Sequence, residues 1–260
     1  MLLGTVAIEP NRWGTIRDDR SPETRLSEWL GHIAELPVDG IELWEGHVAG
    51  VDDDEADAVL AGPVPIRIHN SYVGFDDPDP AQRDGAADWV RRTRARAVKF
   101  NVGNDPALER VYGERVAAWV ESLPLDVVVI CECHQGISIA EDLAVAARIL
   151  DAAGPPDRVQ ALVHTHDAAD LLTAKFDALG ERITHVHVNH LDFAVMQHPP
   201  LREIEDRLGE TVAHLRRLGF TGSWTLEFVA GLLTERDHPA ALLDQAADDL
   251  AVLRRVLETT

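Results

Sequence analysis

Glu132 and His134 stand at the end of a short apolar run, Asp126 to Gly136 (DVVVICECHQG), so a carboxylate and an imidazole are delivered together, as acid/base or metal chemistry requires. Side chains alternate along a strand. Val128, Ile130, Glu132 and His134 therefore share one face, and Val127, Val129, Cys131 and Cys133 the other. Both faces begin apolar, which describes a strand of a parallel sheet covered by helices, a setting in which functional groups gather at the strand ends.

The same period applied to seven other apolar runs collects polar residues on one parity: Glu9; Glu42 with Trp44; Arg67 with His69; Lys99 with Asn101; His164 with His166; His187 with Asn189; and Glu227. The other parity is mostly apolar, with Ile41, Leu43, Ile66, Ile68, Val98, Phe100, Val186, Val188, Leu226 and Phe228. Glu132, His164, His187 and Glu227 fall on four successive strands and form an oxygen and nitrogen set suited to a divalent metal, although no local spacing motif marks them. Two glutamates flanking a metal also supply a matched acid and base for moving a proton next to a carbonyl. A plainer reading competes, in which Glu132 is a core glutamate neutralised by Lys99. Arg67, His69 and Lys99 read as contacts for a substrate carboxylate or phosphate, or as counter-charges for the inward acids. Trp44 reads as the floor of the mouth, and Cys131 and Cys133 as packing residues facing the helices.

The elements that must position these groups alternate short β-branched runs with amphipathic, charge-laced segments, the pattern of βαβ units. Eight strands are expected, at Leu2 to Glu9, Gly40 to Trp44, Pro65 to His69, Ala97 to Val102, Asp126 to His134, Val159 to His164, Ile183 to Val188 and Ser223 to Phe228. Ser21 before Pro22 predicts a helix through about Glu35, Asp77-Pro78 opens another, and Asp142 to Ala153 a third that Gly154-Pro155-Pro156 stops. Gly219 reads as a further helix stop. The stretch His190 to Pro200, with Phe193 and Met196, is long enough for a lid, and Asn11 to Arg20, with Trp13, is expected on the same rim. No linker divides the chain, so residues 1–260 are expected to form a single α/β domain, a (β/α)8 TIM barrel.

Bulk properties narrow the function. The 260 residues carry a formal charge of -21, from 45 acidic against 24 basic side chains, which repels phosphate backbones and speaks against nucleic acid as a partner. Two cysteines, no basic leader and no apolar run of membrane-spanning length lead to the expectation of a cytoplasmic protein with no membrane partner. A homo-oligomer is compatible with the sequence.

The strand ends resemble the xylose isomerase-like TIM barrels, the sugar phosphate isomerase/epimerase family. GIELWEGH (Gly40 to His47) is similar to the family's second strand, ICECHQG to its fifth, HVHVNH (His185 to His190) to its seventh, and LGFTGSWTLEF to its last helix-turn-strand. The resemblance implies Glu132, His187 and Glu227 as metal ligands, with the two glutamates as catalytic residues on either side of the reacting carbon. The sixth strand departs from the pattern, with His164 at the family's aspartate and Asp167 at its histidine, and His190 replaces a further aspartate. Substrate contacts are expected from Trp44, His69, Lys99, His134 and Asp167. The implied activity is a metal-dependent isomerase or epimerase acting on a small ketose or other polyol-derived substrate through an enediolate. A dehydratase on a hydroxy-carbonyl substrate and a non-catalytic metal- or sugar-binding barrel are the alternatives. Two imidazoles with two carboxylates lead to Mn2+, Co2+, Fe2+ or Zn2+ being favoured over Mg2+.

Overall fold

The computed structural model describes residues 1–12, 16, 18–19, 21–134, 136–192, 197–230 and 238–260. Trp13, Phe193 and Met196, expected on the rim, lie outside the described residues. Eight parallel strands close into a barrel in sequence order: β1 (Leu2–Gly4), β2 (Ile41–Trp44), β3 (Ile66–Asn70), β4 (Ala97–Phe100), β5 (Val128–Cys131), β6 (Val159–His164), β7 (Ile183–Val188) and β8 (Ser223–Leu226). Closure leaves no unpaired sheet edge, because β1 pairs with both β2 and β8.

Helices among the described residues are α1 (Leu30–Ala34), α2 (Gly46–Ala49), α3 (Asp53–Leu60), α4 (Ala81–Thr93), α5 (Glu109–Ser122), α6 (Leu143–Ala153), α7 (Ala169–Leu179), α8 (Glu205–Arg217) and α9 (Pro239–Thr259). None is long and apolar enough to cross a membrane. The predicted caps are present: Asp142 accepts the N–H groups of Ala144 and Val145 to start α6, and Gly154 follows its last residue. Gly219, at φ +89°, follows the end of α8.

Apolar side chains sort into two layers. A large one lies between strands and helices and includes Ile41, Leu43, Val98, Phe100, Val129, Val186, Val188 and Leu226, together with Cys131 and Cys133. A small one, Leu2, Ile68, Ala97, Ile130 and Leu162, plugs the barrel interior. Lys99, Glu132 and His164 stand two residues further along three of these strands, so alternation stacks them above the plug.

Three local expectations are corrected. The first strand ends at Gly4 rather than Glu9 and runs into a 3-10 turn, Thr5–Ile8. Thr5 Oγ1 accepts the Trp44 N–H and lies 3.0 Å from His47 Nδ1, while Glu9 accepts N–H groups of Asn11, Glu23 and Thr24. Glu9 thus ties down the following loop. That same capture shortens the first helix, which does not begin at Ser21: Glu9 holds the backbone at Glu23 and Thr24, and Glu55 takes both the N–H and the hydroxyl of Ser27. Only a 3-10 turn at Leu26–Glu28 and the short α1 remain. Likewise Asp77 and Asp79 bind the N–H groups two residues on, which delays α4 to Ala81.

Strand β3 corrects the parity. A register shift against β2 pairs Ile41 with Ile66 but Glu42 with Ile68, which sets Ile68 and Asn70 inside the barrel and His69 on the helix-facing side.

Helix α9 carries a buried acid. Asp249 is 1% exposed, and its Oδ1 accepts the Leu201 N–H and the Gln245 amide while Oδ2 has no partner among the described residues. Burial pushes its carboxyl up to about 6. A carboxyl raised on folding contributes stability below its unfolded pKa and loses it as pH rises through the folded value. Asp249→Asn keeps the Oδ1 acceptor and removes the charge. It is expected to stabilise the protein by about 1–3 kcal/mol at pH 7.5 and by little at pH 4. Thermal melts at the two pH values test this, and a lower melting temperature for the variant at pH 7.5 contradicts it.

Candidate metal centre

Above the apolar plug, the ends of β2, β5, β6, β7 and β8 place Glu42, Glu132, His164, His187 and Glu227 in one layer, each no more than 6% exposed. His187 is its hub. Nδ1 lies 3.3 Å from Glu227 Oε1 and 3.9 Å from Glu132 Oε1, and Nε2 lies 3.1 Å from Glu42 Oε2. His164 Nε2 is 3.3 Å from Glu132 Oε1. The second oxygen of each catalytic-candidate glutamate is already held: Glu132 Oε2 accepts from Lys99 Nζ at 2.5 Å and from the Asn101 amide at 2.7 Å, and Glu227 Oε2 from the Asn189 amide at 3.0 Å. One oxygen of each therefore remains on the His187 side.

Electrostatics follow from this packing. Burial alone raises the Glu132 carboxyl, yet the Lys99 ammonium and the two imidazoles hold it well below the usual carboxylate range. Lys99 is likewise pushed down by burial but driven above its ordinary value by Glu132. His187 is raised by Glu42 and Glu227 against its own burial. Glu42 and Glu227 are in turn lowered by His187, so all three carboxylates stay ionised at neutral pH. The plainer reading of Glu132 as a partner of Lys99 is present in the structure through Oε2, and Oε1 faces His164 and His187.

The donor set fits one divalent ion. One ligand atom from each of Glu132, His164, His187 and Glu227 can be chosen so that all lie within 4.8 Å of one another. Ligands about 2.0–2.2 Å from a shared ion are separated by no more than roughly 4.4 Å, so modest contraction suffices. His187 Nδ1 is buried and makes no hydrogen bond with the described residues. Charge agrees as well: the layer's three carboxylates against the Lys99 ammonium leave two negative charges, the charge of a divalent cation. Bound there, such an ion would supply Lewis-acid polarisation of a substrate oxygen.

A cavity of about 550 Å³ opens directly on this layer and is lined by Lys99, Asn101, Glu132, His134, Asn189 and Glu227, with Asn70, Tyr72 and Arg12 among its walls. His134 follows Cys133, whose left-handed φ of +45° turns the chain at the strand end, and its ring meets that of His164 at 5.8 Å. Lys99 and His134 thus both line the cavity.

Three expected contacts stand elsewhere. His69, on the helix-facing side of β3, is fully buried without a hydrogen bond from the described residues to either ring nitrogen, and burial lowers its pKa to about 4. Trp44 lines a neighbouring groove of about 510 Å³ with Glu45 and Tyr72, its ring edge-on to His47. Asp167 takes the Lys175 ammonium at 2.7 Å and the His164 N–H at 3.1 Å, so it braces the turn from β6 into α7. Asn70, at the displaced end of β3, was hidden by the register shift that sequence periodicity does not carry. Tyr72 and Arg12 sit on loops, where no period applies.

No protein-family model and no curated protein sequence matches the chain. Solved structures do match in fold. A candidate xylose isomerase from Rhodospirillum rubrum superposes with a TM-score of 0.62 at 16% identity, over 100% of this chain and 98% of that one. A xylose isomerase-like TIM barrel/4-hydroxyphenylpyruvate dioxygenase fusion protein gives 0.61 at 13% identity over 90% of this chain, which spans only 41% of the fusion's length. Endonuclease IV from Thermus thermophilus gives 0.56 at 15% identity, covering 92% of this chain and 97% of that one. These likenesses show a shared (β/α)8 barrel fold.

Because an ion at this layer would bind the folded chain alone, removing it should lower thermal stability. At a free metal concentration a hundredfold above Kd the stabilisation is about 2.7 kcal/mol. Melting protein purified without chelator, then chelated, then resupplied with Mn2+, Co2+ or Zn2+ measures this. A melting temperature indifferent to all three treatments would argue strongly against the centre.

Proposed function

We propose that the chain is a divalent-metal-dependent enzyme that moves a proton next to a carbonyl of a small hydroxy-carbonyl substrate, a ketose or polyol-derived compound, and so isomerises or epimerises it. The observation that carries this reading is the convergence of Glu132, His164, His187 and Glu227 within 4.8 Å of one another at the floor of an open cavity. In the proposed reaction one of the two glutamates takes the carbon-bound proton and the other delivers it back. Lys99, with its ammonium held in the cavity wall, and the Asn101 and Asn189 amides hold the outer oxygens of the two glutamates, which fixes the carboxylate planes while a proton is transferred. His134 donates to or accepts from substrate hydroxyls at the mouth.

The mixed imidazole and carboxylate donors favour Mn2+, Co2+, Fe2+ or Zn2+ over Mg2+, which prefers oxygen ligands and retained water. A dehydratase using the same proton abstraction is the second reading, supported by His134, a further titratable group in the cavity that can protonate a departing hydroxyl. Loss of water from the substrate, read by mass spectrometry, separates the two. The endonuclease likeness is one of fold, and the net charge of -21 opposes binding of a phosphate backbone.

Exchange in heavy water tests the proton step directly. The wild type is expected to wash deuterium into the substrate carbon. Glu132→Gln and Glu227→Gln, which preserve shape and an oxygen ligand, should each reduce exchange by at least about a hundredfold. Exchange persisting at the wild-type rate in either variant would show that the proton passes through another group.

A further inference from the structure

Glu42, within the second strand, does not itself line the cavity, although the Asn70 it holds does, and the reaction proposed above assigns it nothing. It is 1% exposed and has no lysine or arginine partner among its described contacts. A buried carboxylate in such a place is costly unless its oxygens are taken. Here they are: Oε1 accepts the Asn70 amide at 3.1 Å, and Oε2 faces His187 Nε2 at 3.1 Å and His185 Nε2 at 3.5 Å. His185 is itself fixed, with Nδ1 at 2.7 Å from the Ser223 hydroxyl and Nε2 at 2.9 Å from the Thr225 hydroxyl.

We propose that Glu42 is the positioning residue of the metal centre, its carboxylate accepting the Nε2 proton of His187 and thereby presenting the lone pair of Nδ1 to the ion. This rests on the metal-centre reading above. A carboxylate oxygen offers no proton, so the close nitrogen must be the donor, and a neutral imidazole then has its lone pair on the other nitrogen. That nitrogen is the one lying between Glu132 Oε1 and Glu227 Oε1. The Asn70 amide and the His185 ring fix the Glu42 plane in turn. Glu42 therefore sets both the tautomer and the tilt of the ligand, and its charge strengthens the donor.

The test uses the full chain and the metal alone. Co2+ and Zn2+ are titrated into metal-free wild type, Glu42→Gln, Glu42→Asp, His187→Ala and the Glu42→Gln/His187→Ala double variant. Affinity, stoichiometry, the visible Co2+ spectrum and the metal-free melting temperature are read for each. Glu42→Gln is expected to bind one ion about 10–100-fold more weakly, with an altered Co2+ spectrum. Glu42→Asp should recover part of the affinity. In the His187→Ala background, Glu42→Gln should cost no more than about twofold, because the group it orients is gone.

Equal losses in both backgrounds would make Glu42 a structural residue and overturn the proposal. So would wild-type affinity in Glu42→Gln. Two ions per wild-type chain, with one lost in Glu42→Gln, would make Glu42 a ligand of a second site instead. A wild type that binds no ion sinks the metal-centre reading itself, which distinguishes that failure from this one. Should Glu42→Gln not fold, Asn70→Ala releases only the Glu42 Oε1 anchor and should weaken the ion in the same direction; unchanged affinity there overturns the proposal equally.

Discussion

A closed barrel has one place where charge can be buried in quantity, and whatever is buried there must balance. Three carboxylates, from Glu42, Glu132 and Glu227, meet one ammonium, from Lys99, in a layer with almost no access to water. Without an ion the imbalance falls on His187, whose ring lies between carboxylates on both edges and is driven toward the charged form. With a divalent ion the same ring is neutral and the layer closes at zero. A proton on His187 Nδ1 and a metal would thus compete for one lone pair, and the surrounding carboxylates favour a positive charge there in either form. Lys99 satisfies Glu132 from the other side, through Oε2.

The layer and its contents were largely legible in the sequence because a strand's period of two is insensitive to tertiary context. On β2, β4, β5, β6, β7 and β8 alternation separates the inward polar groups from the helix-facing aliphatics, although just past β8 Phe228, expected on the helix side, lines the cavity. On β3 it fails. Ile66 and Ile68 alternate cleanly with Arg67 and His69, but the polar pair is not the inward one, because the register shift against β2 settles the faces through pairing. His69 is consequently a buried helix-side residue and Asn70 the inward one. The failed helix at Ser21 has a related cause: its capping pattern is sound locally, but Glu9 and Glu55, distant in sequence, compete for the same backbone donors.

Second-order contacts were the least legible. Glu42 has the right parity, yet nothing in GIELW announces that its oxygens serve a histidine 145 residues away. Asp167 illustrates the reverse. It occupies a motif position beside His164, but α7 brings Lys175 within 2.7 Å, and an ion pair buried at a turn commits the carboxylate to the fold. Motif position assigned the residue a neighbourhood, and the helix that follows decided its work.

Lys175 and Lys99 have a further significance. They are the only lysines in the sequence, and both are at least nine-tenths buried, each against a carboxylate. Apart from the histidines, every other cationic side chain is a guanidinium, which resists acylation. The described surface consequently offers no ε-amine to acetylating enzymes, glycation or amine-directed labels. Any such adduct inside the chain would mark a moment when the Lys99–Glu132 or Lys175–Asp167 pair had opened, so covalent chemistry at nitrogen becomes a reporter of breathing at the barrel mouth, with almost no background from the exterior.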